Sequence, residues 1–186
     1  MTAFPRYNIS MKNYRSDYVF TNIRPNDYKS HREGGSDNCG DCTTRSLCYC
    51  LNGAMTYREI EDEQYRLAKI RLTRRNTMGT WDKVLTQRGF SWVQLDKAVI
   101  RDKIAYYLSF IDSPMVTLSR THACAIHKGK VIDTWDSRGG RVYGVLVKNE
   151  VIADVIKRLC DMGIGCTEVD LPKYRVNHRR RYSWYY

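Results

Sequence analysis

The sequence has no long apolar run: none approaches the roughly 18 residues that a membrane-spanning helix needs. Residues 1–6 contain no hydrophobic core of the kind found in secretory signals, so we expect a protein that is not exported by the usual route. There is also no internal repeat and no clear linker between domains. These absences predict a single cytoplasmic domain with no membrane partner.

Cysteine is present, but in an odd number. Seven cysteines among 186 residues, with no export signal, favour reduced, catalytic or metal-bound thiols over disulfides. The apolar fraction of 42% and the charged fraction of 27% are ordinary for a globular protein with a real core. The formal net charge of +11 predicts attraction to nucleic acid, anionic surfaces or acidic partners, although a solvated surface explains it equally well.

Hydrophobic periodicity and capping signals predict helices first and strands later, which is typical of an α+β domain with helices packed on an antiparallel sheet. The predicted helices are residues 43–51, 57–72, 80–89, 97–110 and 149–162. The predicted strands are residues 90–95, 115–119, 121–127, 130–135, 141–147 and 167–171. The domain is predicted to cover residues 1–172, including an irregular arm at 1–35, and a basic aromatic tail follows at 173–186.

One loop runs directly into the first predicted helix and places Cys42 at or next to its N-terminus. Unpaired backbone N–H groups and the positive end of the helix dipole meet there and stabilise a thiolate. Such surroundings lower a thiol pKa from about 8.5 into the range of roughly 3.5 to 7.5. Cys42 is therefore a candidate nucleophile.

A partner acid and base for this thiol lies in the predicted strands. His122 and Asp133 flank a tight-hairpin signal at Lys128 and Gly129, so we expect them on neighbouring strands and within reach of each other. A thiolate, a histidine that shares its proton and a polar group that orients the ring form a nucleophilic triad. The sequence thus predicts a Cys42–His122–Asp133 site.

Two motifs resemble those of the papain-like cysteine peptidases. Residues 39–42, Cys-Gly-Asp-Cys, resemble the Cys-Gly-Ser/Ala-Cys signature around the nucleophile of these enzymes. The stretch from His122-Ala123 to Asp133-Thr134-Trp135 is similar to their His-Ala hairpin that ends in Asn-Ser-Trp. The chain order is also the same, and the resemblance covers residues 36–146. More narrowly, the pattern resembles small papain-like proteins common in bacteriophage genomes.

The resemblance implies a papain-like fold and a cysteine hydrolase that cleaves a peptide or isopeptide bond through a thioester, without a cofactor. Cys42 would be the nucleophile, His122 the general base and acid, and Asp133 the orienting group. Trp135 would shield the His–Asp pair from water. The substrate would be a protein or peptide in the host cytoplasm or virion, and the same triad also suits amidase or transglutaminase chemistry.

The oxyanion hole departs from the family pattern. One donor would be the Cys42 backbone N–H, but the family glutamine six residues earlier is Ser36 here, and Asn38 is the nearby side-chain amide. The Cys–His separation of 122 − 42 = 80 residues is shorter than the roughly 130–150 of papain, which suggests a trimmed core. Asp136 is a rival to Asp133, although it also fits as the cap of the following turn.

Several other interpretations remain open. A zinc site at Cys39, Cys42, Cys48 and Cys50 has poor ligand spacing, so we expect no metal and assign the cysteines other than Cys39 and Cys42 to the core. Arg45 either pairs with an acid near the site or is solvated. The tail could bind phosphates and stack on bases, or could pack on its own domain or remain disordered. The alternative function is a catalytically silent papain-like fold that inhibits a host factor, or binds nucleic acid or the virion, through its basic surface.

Overall fold

The computed structural model describes residues 16–28 and 40–172. The predictions made for the basic tail and for the two oxyanion candidates, Ser36 and Asn38, therefore lie outside the described residues. Cys39 of the alternative zinc site lies outside them as well.

The described residues form a mixed α and β fold with five α-helices and a seven-stranded sheet. The helices are α1 (Cys42–Leu51), α2 (Tyr57–Ile70), α3 (Lys83–Thr86), α4 (Arg101–Tyr107) and α5 (Ile152–Asp161), with a 3₁₀ turn at Asn149–Val151. The strands are β1 (Asp17–Phe20), β2 (Phe90–Ile100), β3 (Met115–Leu118), β4 (Ala123–His127), β5 (Lys130–Asp133), β6 (Arg141–Lys148) and β7 (Cys166–Val169). The α+β class predicted from the sequence is confirmed.

The sheet has the order β1-β5-β4-β3-β6-β2-β7. All neighbouring pairs are antiparallel except β1 and β5, which run parallel. Within the described ranges, no helix is long and apolar enough to cross a membrane.

Each face of the sheet carries its own apolar core. One core joins α1, α2 and α3 to the sheet through residues such as Leu47, Ile60 and Trp92. The other joins α4 and α5 to the opposite face, for example through Ile104 and Leu159. Alternate residues along a strand point to opposite faces, so one sheet serves both layers.

The cysteines divide between the core and the surface. Cys50 and Cys124 are buried, and Cys48 and Cys166 are half-buried and pack against the two cores. Cys160 is exposed, so its assignment to the core was wrong. It occupies an outward-facing position near the end of α5, where Leu159 is the buried neighbour.

Local signals set several element boundaries. The capping box that opens α2 is present: the Glu59 N–H donates to the Thr56 hydroxyl, and the Glu59 carboxylate accepts from the Thr56 N–H at 2.7 Å. Helix α1 ends at Asn52, whose left-handed φ of 43° is one that asparagine tolerates. The β4–β5 hairpin turns through Lys128 and Gly129, both with positive φ, and pairs His127 with Lys130.

The predicted secondary structure is wrong in several places, and two of these affect the sheet. The helix expected at residues 97–110 begins only at Arg101, because β2 continues through a register shift and pairs Val99 with Val142. Asp96, the residue before the expected helix, has its backbone N–H bonded to the carbonyl of Gly165. The arm predicted to be irregular contains β1, whose four residues add to the edge of the sheet beside β5.

Candidate active site

Cys42 is the first residue of α1. The loop before it is held by Asn76, whose side-chain amide donates to the Gly40 carbonyl at 2.5 Å and accepts from the Thr43 hydroxyl at 2.6 Å. The half-buried thiol therefore lies where the N–H groups of the first helical turn lack helical partners. This is the position that the sequence predicted.

The residue before the thiol, Asp41, forms part of a buried charge network and does not cap the helix with its side chain. Its carboxylate accepts hydrogen bonds from Arg24 at 2.5 and 2.6 Å, from Arg45 at 3.2 Å and from the Tyr57 hydroxyl at 3.2 Å. Burial alone would raise the pKa of Asp41, but the two arginines outweigh it and hold that pKa below its ordinary value.

His122 lies immediately before β4, not within a strand as the sequence predicted. The connection between β3 and β4 is tight, and the backbone N–H and hydroxyl of Ser119 both donate to the His122 carbonyl at 2.9 Å. This contact leaves the His122 ring at the mouth of the β4–β5 hairpin, where it meets the end of β5.

Asp133 is the last residue of β5, and its Oδ2 lies 2.5 Å from His122 Nε2. The same carboxylate accepts from the Ser137 hydroxyl, the Arg45 guanidinium and the Thr134 backbone N–H, each at 2.8 Å. Because both carboxylate oxygens are engaged and the group is 4% exposed, its orientation is fixed. The bond to Nε2 leaves Nδ1 as the nitrogen available to the thiol.

The pKa values of the three groups favour a charged site. Burial would raise the pKa of Cys42, but a hydrogen bond to His122, the imidazolium charge, the Ala123 backbone N–H and Arg45 lower it below its ordinary value. Burial would lower the pKa of His122, but hydrogen bonds to Asp133, Cys124 and Cys42 raise it to about 11. Burial would raise the pKa of Asp133, but its bonds to His122, Ser137 and Arg45 hold it far below its usual range. The geometry thus favours a thiolate–imidazolium pair beside an ionised carboxylate.

Arg45 connects the site to the Asp41 network. It lies one turn after Cys42 on α1, is 8% exposed, and bonds to Asp133 Oδ1 and to the Thr134 hydroxyl, both at 2.8 Å. The sequence left open whether Arg45 was paired or solvated, and the structure shows it paired. Charges of alternating sign therefore run from Arg24 through Asp41, Arg45 and Asp133 to His122.

Trp135 covers the outer side of the histidine. Its ring centroid lies 4.9 Å from that of His122 with an angle of 44° between the planes, and 54% of the side chain is exposed. Asp136, the rival to Asp133, is instead paired with Arg138 at 2.7 Å and accepts from the Arg138 backbone N–H. The site therefore contains Trp135 but takes Asp133 as its carboxylate.

One group of potential metal ligands occurs among the described residues. Donor atoms of His122, Cys124 and Asp133 lie within 4.8 Å of one another. These atoms are engaged already: the Cys124 thiol faces the carbonyls of Ala125 and Ile132 at 3.3 and 3.4 Å, and Asp133 bonds to four groups. The cluster does not include the cysteines of the alternative zinc site.

The sequence did not point to four residues that surround the triad: Asp41, Cys124, Thr134 and Ser137. A signal did exist for Asp41, since it lies four residues before Arg45, the spacing of a helical ion pair. The sequence indicates a turn after Asp136, but it does not indicate that this turn brings the Ser137 hydroxyl to Asp133.

Comparison of the chain with protein-family models, with curated proteins and with solved structures finds no match. The function must therefore be inferred from the site itself.

Proposed function

We propose that the protein is a papain-like cysteine hydrolase that cleaves a peptide or isopeptide bond at Cys42. The observation that carries the proposal is the continuous contact of thiol, imidazole and carboxylate at the start of α1. The 2.5 Å bond between His122 and Asp133 fixes the ring so that its other nitrogen serves the thiol. The resemblance of two sequence motifs to papain-like proteins, including those of bacteriophages, gives independent support.

The reaction proceeds in two steps. The Cys42 thiolate attacks the carbonyl carbon of the scissile bond, and His122 gives its proton to the departing amine, which leaves a thioester. His122 then takes a proton from water, the hydroxide attacks the thioester, and the thiolate is released. An amine in place of water would give acyl transfer through the same intermediate.

Ionised Asp133 stabilises the imidazolium throughout this cycle. Arg45 in turn stabilises the carboxylate, and Trp135 limits the access of water to the His–Asp pair. The charges that favour the nucleophile are thus built into α1 and the β4–β5 hairpin before any substrate binds.

The test is the pH dependence of thiol alkylation by iodoacetamide, with each labelled cysteine identified by mass spectrometry. Free N-acetylcysteine in the same solution serves as the reference thiol. An ordinary thiol of pKa about 8.5 is less than 1% ionised at about pH 6, so we expect Cys42 to react at least about tenfold faster than this reference there. In His122→Ala the advantage should disappear.

A Cys42 profile that parallels that of the free reference thiol, in the wild type as in His122→Ala, would contradict the enzymatic proposal. The alternative would then be a binding protein that uses the net charge of +11. That alternative predicts affinity for nucleic acid that falls steeply with added salt, and it fails if no DNA or RNA binds at low salt.

A further inference from the structure

A cavity of about 340 Å³ opens directly beside His122. Trp135 and His122 form one part of its wall, and three arginines, Arg101, Arg120 and Arg141, form another. None of the described residues that line it carries a carboxylate. The charged side chains in its lining are therefore all cationic.

Arg101 differs from the other two arginines because it is almost completely buried, with only 1% of its side chain exposed. Its guanidinium donates to the Thr117 hydroxyl at 2.8 Å and to the Ser137 carbonyl at 2.5 Å. Its remaining nitrogen, Nη2, is buried and has no hydrogen-bond partner among the described residues. A buried donor without an acceptor is costly, and the positive charge of this guanidinium beside the cavity attracts an anion into it.

The backbone around Arg101 keeps the guanidinium in place. A Cβ atom at Gly140 would lie 2.7 Å from Arg101 Nη1, so glycine is the residue that this close approach permits. Arg120 lies over the Tyr143 ring at 5.8 Å, and Arg141 is exposed at the start of β6. Asp136, which follows Trp135 in the chain, is paired with Arg138.

The position of the cavity assigns it to one side of the substrate. In the proposed reaction His122 gives its proton to the leaving amine, so that amine must lie against the His122 ring. A cavity with His122 in its wall is then the place for the residue that carries the amine. A carboxylate on that residue would meet the arginines.

We propose that this cavity binds an acidic residue on the leaving side of the scissile bond. The preferred substrates would be peptides cut immediately before Asp or Glu, or amides whose leaving part carries a carboxylate close to the amine. The inference rests on the proposed function for the direction of the substrate, whereas the anion site itself depends only on the cavity.

The first arm of the test measures binding without turnover. The probes are aspartic acid α-amide and asparagine amide, which differ in one charge at nearly equal shape. Titration into the ¹⁵N-labelled protein is followed by the Trp135 indole signal, which is assigned with Trp135→Phe. A hydrogen bond between charged groups predicts at least about tenfold tighter binding of the aspartic acid amide, with loss of that preference at high salt.

Variants identify the arginines responsible. Arg141→Gln and Arg101→Met should each reduce the preference for the aspartic acid amide several-fold. Because Arg141 is exposed, Arg141→Gln still tests the proposal if Arg101→Met fails to fold. The matched control is Arg66→Gln: Arg66 lies on α2, pairs with Glu63 and does not line the cavity. Equal binding of the two amides, or an equal effect of Arg66→Gln, would overturn the proposal.

The second arm measures cleavage of a complex peptide library, with cut sites identified by mass spectrometry. We expect Asp and Glu to be enriched after the cut in wild type and less so in Arg141→Gln. Cuts that depend on Cys42 but lack this enrichment would overturn the inference and leave the hydrolase intact. Selective binding of the acidic amide without any cut that depends on Cys42 would support the anion site and refute the hydrolase.

Discussion

Replacing Arg45 by methionine tests the charge network that supports the site. The change keeps the aliphatic stem but removes the cation that lies between two buried carboxylates, Asp41 at 3.2 Å and Asp133 at 2.8 Å. Breaking a buried ion pair by deleting one partner typically costs about 3–5 kcal/mol, because the other charge stays buried without compensation. Asp41 still pairs with Arg24, so Asp133 carries most of this loss.

We therefore expect a loss near the lower end of that range, about 3 kcal/mol in the free energy of unfolding. Urea denaturation at pH 7 measures it, and for a chain of this size the melting temperature should fall by roughly 10 °C. The matched control is Arg58→Met. Arg58 also contacts two carboxylates, Asp27 at 2.9 Å and Glu61 at 3.0 Å, but is 49% exposed, so its replacement should destabilise the fold far less than Arg45→Met.

A loss in Arg45→Met no larger than that in Arg58→Met would refute the reasoning. A second variant separates charge from packing: adding Asp133→Asn to Arg45→Met removes the unpaired carboxylate. The double variant should then lose less than the sum of the two single variants by about 1 kcal/mol or more. Strict additivity would mean that Arg45 stabilises the fold by contacts other than the ion pair.

Two further predictions concern the titration of the site. In Asp133→Asn, the loss of the carboxylate lowers the pKa of His122 and raises that of Cys42, so labelling of Cys42 by iodoacetamide at pH 6 should slow by about tenfold or more. An unchanged labelling profile would show that Asp133 does not support the ion pair. The second prediction is that the alkaline loss of stability begins about two pH units higher in the wild type than in Cys42→Ala. Urea denaturation at a series of pH values measures this difference.

Much of the local structure was predictable because the interactions that determine it join residues only a few positions apart in the chain. Thr56 and Glu59 meet across one helical turn, and the tight turn at Lys128 and Gly129 sets the register of β4 and β5. The same register explains why His122 and Asp133 could be expected to meet although they lie eleven positions apart. In a hairpin, the type and length of the turn fix which residues of the two strands lie opposite each other.

Other features depend on partners far along the chain. The pairing of Arg45 with Asp133 spans 88 positions and joins α1 to the far end of β5, so no local pattern indicates it. The extension of β2 through Ile100 likewise requires β6, which supplies the partner Arg141. Strand β1 is four residues long and has no periodicity of its own, so it is identified only by its pairing with β5.

Alkaline loss of stability should begin about two pH units higher in the wild type than in Cys42→Ala. This difference follows from the number of protons that Cys42 and His122 carry in the folded and unfolded states. In Cys42→Ala the pKa of His122 stays raised by Asp133, so this contribution to stability is complete below the unfolded histidine pKa of about 6.5 and is lost as the pH rises above it. In the wild type the lowered thiol pKa acts oppositely. The contribution of the lowered Cys42 pKa to stability is absent at low pH. It grows with pH until the thiol of the unfolded chain ionises at about pH 8.5.

Once Cys42 is ionised, the folded wild type carries one proton on this pair, on His122. The unfolded chain also carries one between about pH 6.5 and 8.5, on the thiol, so stability from the pair does not change with pH there. Above about 8.5 the unfolded chain carries none, and stability falls until His122 itself titrates near pH 11. One proton corresponds to about 1.4 kcal/mol per pH unit, so the two curves should diverge by up to about 2.7 kcal/mol between about pH 6.5 and 8.5. All other titrating groups are shared, so parallel curves would mean that no thiolate–imidazolium pair forms.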